Sequence, residues 1–128
     1  RDHPRIFTDR ASVPCFAYTA NVPLFMRTRA IIEDNVPQAS KAFALLAAYG
    51  TDTVDPCVPS SMLKNHSRAI VRTTTAAAWA LLEFRETGLV SEDMLLQLAD
   101  SVPDGDVSRQ HTAEHMRAIL ERMQLTCV

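Results

Sequence analysis

Two histidines, His111 and His115, stand four residues apart near the C-terminus. On a helix that spacing puts both imidazoles on one face, where they could share a metal ion. A closed site needs further donors. No HExxH pattern is present, no cysteine pair lies close by in sequence, and Arg122 falls on the same flank, where it would repel a cation. His111 and His115 are therefore expected to sit half-exposed beside a core stripe. Neither a metal nor any other cofactor is expected.

A second set of residues is cationic. Lys64, Arg68 and Arg72 recur at i, i+4 and i+8 and lead toward Trp79. On a helical wheel Trp79 lies opposite the apolar stripe, beside Arg68, Arg72, Glu83 and Glu86. Trp and Arg are enriched in binding hot spots, so Lys64, Arg68, Arg72 and Trp79 form the expected partner-binding face. Arg27 and Arg29 would add phosphate contacts if that face took RNA. Three cations on one ridge make a small electrostatic footprint for a nucleic acid. A protein partner or a second copy of the chain is the first expectation, and an RNA-binding or nucleocapsid-type role is the alternative.

Enzymatic chemistry finds less support. The chain has only three glycines, Gly50, Gly88 and Gly105, all far apart. P-loops, dinucleotide fingerprints and nucleophile elbows need clustered glycines for tight turns and close backbone approach, so those classes are excluded. No carboxylate pair sits inside an apolar run. A non-enzymatic domain with no small-molecule substrate is expected. The link around Gly88 has the outline of a helix-turn-helix, but its second helix opens on Glu92 and Asp93 and carries no Lys or Arg. Phosphates would repel it, so DNA reading by that element is rejected.

At 128 residues, with 47% apolar and 22% charged residues, the chain can bury a core as one domain over residues 1–128. The net charge of -2 hides a division: residues 1–72 carry a surplus of cations, and residues 73–128 a surplus of acids. That dipolar layout favours self-association. The longest apolar run, Ala76–Leu82, is too short to span a bilayer, so no membrane contact is expected. Three scattered cysteines, Cys15, Cys57 and Cys127, suit a reducing compartment, cytoplasmic or nuclear. The abrupt start at an arginine suggests a domain of a larger intracellular protein.

These side chains need elements to position them. Residues 1–21 read as an extended arm, and residues 22–128 as a helical core. Helical periods predict Val22–Glu33, with Leu24, Ile31 and Ala30 or Met26 facing inward, and a second helix capped by Asn35 and closed at Tyr49–Gly50. A long central helix follows over about 61–87. Its inward stripe is Leu63, Ile70, Thr74, Ala77, Leu81 and Phe84. Ala76–Ala78 and Ala80 allow close helix approach. Gly88 ends that helix. Two more follow, Glu92–Ser101 with Leu95, Leu98 and Ala99 inward, and Val107 or Ser108 to Gln124 with Ala113, Met116, Ile119, Leu120 and Met123 inward. No strand pattern emerges. The expected fold class is all-α, an irregular bundle of about five helices around residues 61–87.

Overall fold

The structure is a computed structural model and describes residues 16, 18–102 and 108–128. Most of the expected N-terminal arm and the turn at Pro103–Asp106 fall outside the described residues.

The second half of the chain is helical, as its local signals require. Thr74 caps α3 (Thr75–Thr87): its side chain accepts from Ala77 N, and Gly88 takes the left-handed conformation (φ 73°) at the other end. Ser91 caps α4 (Glu92–Asp100) by accepting from Met94 N, with Glu92 and Asp93 in the first turn. Ser108 caps α5 (Arg109–Arg122) by accepting from His111 N. Past α5, Leu125 N donates to Leu120 O and Gln124 N to Glu121 O. That double bond pattern is a Schellman turn, with Gln124 at φ 63° where glycine is usual. Leu120 and Leu125, both buried, close its apolar side.

These helices share one core with α2 (Ala42–Tyr49), which follows a short 3-10 turn at Ala39–Lys41. Leu46, Ala47, Ala80, Met94, Leu95, Leu98, Met116, Leu120 and Met123 make its centre. Alanines line the α2–α3 contact from both sides: Ala42, Ala47 and Ala48 on α2, and Ala77, Ala78 and Ala80 on α3, are buried. Methyl side chains let the two backbones come close, as the Ala-rich run predicts. The C-terminal tail then returns as a short parallel bridge, with Val90 N donating to Thr126 O and Val128 N to Val90 O.

The first half overturns the all-α expectation. The fold is mixed α/β, because a stretch inside the expected long helix, and another spanning the end of the expected first helix and the break after it, are strands. β1 (Ile32–Val36) and β2 (Ala69–Thr73) form a two-stranded parallel sheet in the register Ile32↔Ala69 through Val36↔Thr73. The continuous helix over 61–87 does not exist. In its place come a 3-10 segment at Pro59–Asn65, a turn at His66–Arg68, then β2, and only then α3. The physical reason lies in Ile70, Val71, Thr73, Thr74 and Thr75. Five β-branched residues in six positions lose side-chain freedom against a preceding helical turn and fit a pleated strand instead. Ile70 and Thr74, assigned to the inward stripe, are consequently exposed. The expected helix Val22–Glu33 likewise stops early. α1 (Val22–Arg27) ends at Thr28, and Ile31-Ile32 turns the chain into β1. Val36 precedes Pro37, which also favours extended backbone there.

Candidate interaction surface

The sheet and α1 form a layer that the helical core does not absorb. α1 contains no buried residue. Asn21 caps it by accepting from Leu24 N (3.1 Å), and Arg27 Nε donates back to Pro23 O. The helix is thus held locally, and its apolar side chains are left outward. Leu24 is 55% exposed, Phe25 43% and Ile31 60%. With Ala20, Ala30 and Ile32 they line an open hollow of about 440 Å³. On β2 every residue from Ile70 to Thr73 is exposed. All-parallel sheets are normally covered on both faces, so a two-stranded one this bare is an unusual surface.

Side-chain clips hold this layer together, and one of them, from Tyr49, ties it to the body. His66 Nδ1 accepts from Arg68 N and its Nε2–H donates to Thr28 O (3.0 Å). The two contacts together select the neutral tautomer with the proton on Nε2. Arg68 Nη1 donates to Arg29 O. Thr73 Oγ1 donates to Val36 O (2.8 Å) and Thr74 Oγ1 to Pro37 O (3.0 Å). Tyr49, at the end of α2, donates its hydroxyl to Asp34 Oδ2 on the inner face of β1 (2.6 Å).

Burial, and then the Asp34 carboxylate, push the Tyr49 phenol well above its ordinary value. In the unfolded chain a tyrosine ionises near pH 10, so between that pH and the folded value the native state binds the extra proton. Stability from this contact is therefore complete below about pH 10 and declines as pH rises toward the folded pKa. Tyr49→Phe is expected to cost about 1 kcal/mol at pH 8. It should also give a shallower loss of stability than the wild type between about pH 10 and 11.5, read by urea denaturation of the pair across that range.

The residues singled out from the sequence do not form one ridge, since the helix that would have aligned them is absent. Lys64 turns inward: its ammonium donates to Thr51 O and Thr53 O, each at 2.6 Å, and partial burial lowers its pKa. Arg72 lies on the outer face of the sheet and pairs with Glu33 at 3.2 Å. Arg68 is spent on the Arg29 carbonyl. Trp79 is half-buried and packs against the helical core from α3. Arg27 and Arg29 are exposed. His111 and His115 are exposed on α5, and among the described residues no group of three or more His, Cys, Asp or Glu side chains is arranged to hold a metal.

The loop at 51–59 carries most of the remaining polar structure. Asp55 accepts from Cys57 N (2.6 Å) and pairs with Arg122 Nε (2.7 Å). The Cys57 N–H foremost, with Arg122 behind it, holds that carboxyl below its usual range. Ser61, fully buried, donates to Asp55 O and accepts from Asp55 N. A second hollow, about 400 Å³, opens between the end of β1 and α2. Its carboxylate, Asp34, is already engaged by Tyr49, and neither histidine nor cysteine lines it.

No protein-family model, curated protein or solved structure matches the chain. Among the described residues no helix is long and apolar enough to cross a membrane.

Sequence reasoning missed Leu24, Phe25, Ile31, Ile70 and Val71 as surface residues. It assigned Leu24, Ile31 and Ile70 to the core because their spacing suited a helix. The signal that distinguishes them is the clustering of β-branched residues at Ile31-Ile32 and Ile70–Thr75, which marks the breaks.

Proposed function

We propose that this chain is a non-enzymatic protein–protein interaction domain that associates with itself through the α1–β1–β2 layer. The observation that carries the reading is exposed apolar surface outside the helical core: a helix with no buried residue, a strand exposed from Ile70 to Thr73, and Leu24, Phe25 and Ile31 around an open hollow. Exposed apolar surface of this kind marks association sites on soluble domains. The surplus of cations in residues 1–72 and of acids in residues 73–128 supports attraction between copies. An intracellular setting fits the free thiols of Cys57 and Cys127.

The arrangement gives RNA less to hold than the sequence suggested, because Lys64 and Arg72 have their own partners. Light scattering over a concentration series tests the reading. The wild type is expected to exceed the monomer mass. Phe25→Lys combined with Ile70→Lys should return it to a monomer with an unchanged far-UV spectrum. A wild type that stays monomeric at about 1 mM, or a dimer indifferent to both changes, overturns it. Tight RNA binding that falls steeply with salt would instead favour the phosphate reading.

A further inference from the structure

The two edges of the sheet are not equally guarded. In a parallel pair, alternate residues turn their backbone groups toward the partner strand and away from it. Ile32 N donates to Arg68 O, so with the observed register Asp34 and Val36 also face β2, and Glu33 and Asn35 face outward. On β2 the outward residues are Ala69, Val71 and Thr73.

β1 resists pairing with a copy of itself. Antiparallel registers centred on Glu33 or Asp34 set an acid directly against its own twin, which is destabilising. The register centred on Asn35 sets Glu33 against Pro37, which has no N–H to give. β2 carries no such defence. Its sequence, Ala-Ile-Val-Arg-Thr, has high strand propensity and lacks proline and acid. Its one charge, Arg72, is already balanced by Glu33 at 3.2 Å. In an antiparallel register centred on Val71, Val71 meets Val71 on the inner face. On the outer face Ile70 meets the stem of Arg72, and no like charges stand opposite. Ala69 N is occupied by His66 O. The ladder therefore runs from Val71 N to Val71 O in both directions and from Thr73 N to Ala69 O.

We propose that β2 pairs antiparallel with β2 of a second copy about a two-fold axis at Val71, making one four-stranded sheet of order β1-β2-β2-β1. This rests on the self-association reading above and names the edge that carries it. An isologous contact of this kind closes on itself and consumes the unguarded sheet edge found among the described residues.

Charge-swapped variants of the full chain test it by sedimentation equilibrium. Val71→Lys and Val71→Glu alone should each weaken self-association by at least about tenfold, since like charges then face each other across the axis. Mixed in equal amounts they should recover a dimer, because Lys then faces Glu only if residue 71 lies opposite itself. Val71→Pro, which removes an outward N–H without touching the β1 ladder, should also give a monomer. A dimer that survives Val71→Lys, or paired variants that fail to recover one, overturns the β2 edge. If such a dimer is still lost in the Phe25→Lys, Ile70→Lys protein, the interaction reading stands without it. A wild type monomeric throughout ends both.

Discussion

Leu98→Ala is expected to destabilise the protein by about 3 kcal/mol, within the roughly 2–5 kcal/mol range of buried Leu→Ala changes. Leu98 is fully buried on α4 and belongs to the core shared by α2, α3, α4 and α5. Two terms add: the lost transfer of the side chain out of water, and the contacts forfeited around the cavity. The second depends on how far the site collapses. Met94, Met116 and Met123 belong to the same buried cluster, and methionine's flexible thioether can swing into part of a void. That places the cost in the middle of the range rather than at its top. Urea denaturation should show the midpoint falling with the slope unchanged. Leu82→Ala, on the outer side of α3 and 45% exposed, should cost less than about 1 kcal/mol. Equal losses at the two positions would mean that the core is not where burial places it. A domain of this size has only about 5–15 kcal/mol in total, so Leu98→Ala removes a large share while leaving the α1–β1–β2 surface untouched.

The contrast between Leu98 and Ile70 also explains what was legible in the sequence. Leu95, Leu98, Ala113, Met116 and Leu120 sit on helices whose caps, Ser91 and Ser108, and whose periodicity are local. Those helices appear within a residue or two of their expected bounds. Ile70 fitted the same period by coincidence, seven residues after Leu63 and seven before Ala77. What decides its fate is a partner strand, Ile32–Val36, whose registered residues lie 37 positions earlier in the chain. No local period reports such a pairing; only the β-branched run hints at it. The surface was misread for the same reason. Lys64, Arg68 and Arg72 line up only on a helix. Once β2 replaces that helix, each cation finds its own nearby acceptor: Thr51 and Thr53 carbonyls, the Arg29 carbonyl and Glu33. Trp79 keeps its helix but leans on the core. Of the apolar residues expected inside, Leu24, Ile31 and Ile70 are left outside, whereas Ala77 and Leu81 are buried as expected.

Local stiffness and long-range pairing therefore divide the molecule. The helical core is built from contacts between capped helices, whereas the sheet layer depends on hydrogen bonds that join distant segments: Tyr49 to Asp34, Thr73 to Val36, Thr74 to Pro37, His66 to Thr28. A layer held by polar clips between distant segments is easier to deform than the core. Pairing with a second copy would extend its ladder and remove that weakness.

Gly50→Ala is expected to destabilise the protein by about 1–3 kcal/mol, although helix propensity alone argues the other way. Gly50 ends α2 in ordinary right-handed conformation, φ -67° and ψ -38°, where alanine would be favoured over glycine by up to about 1 kcal/mol. Space, not backbone strain, is the obstacle. A Cβ at Gly50 would stand 2.6 Å from Leu46 O and 2.8 Å from Leu125 Cδ2. The carbonyl cannot rotate away, because it already accepts Gly50 N at 2.9 Å. Leu125 is confined too: it is buried, and its backbone is fixed by the Schellman turn through Leu120 O. Relief must come from moving α2 against the C-terminal tail, which also strains the bond from Thr51 Oγ1 to Met123 O. The overlap therefore outweighs the propensity gain. Combining Gly50→Ala with Leu125→Ala should cost less than the sum of the single changes, by at least about 0.5 kcal/mol, since the smaller residue vacates the contested space. Strict additivity, or a Gly50→Ala protein more stable than the wild type in urea, would show that the tail does not pack against the end of α2.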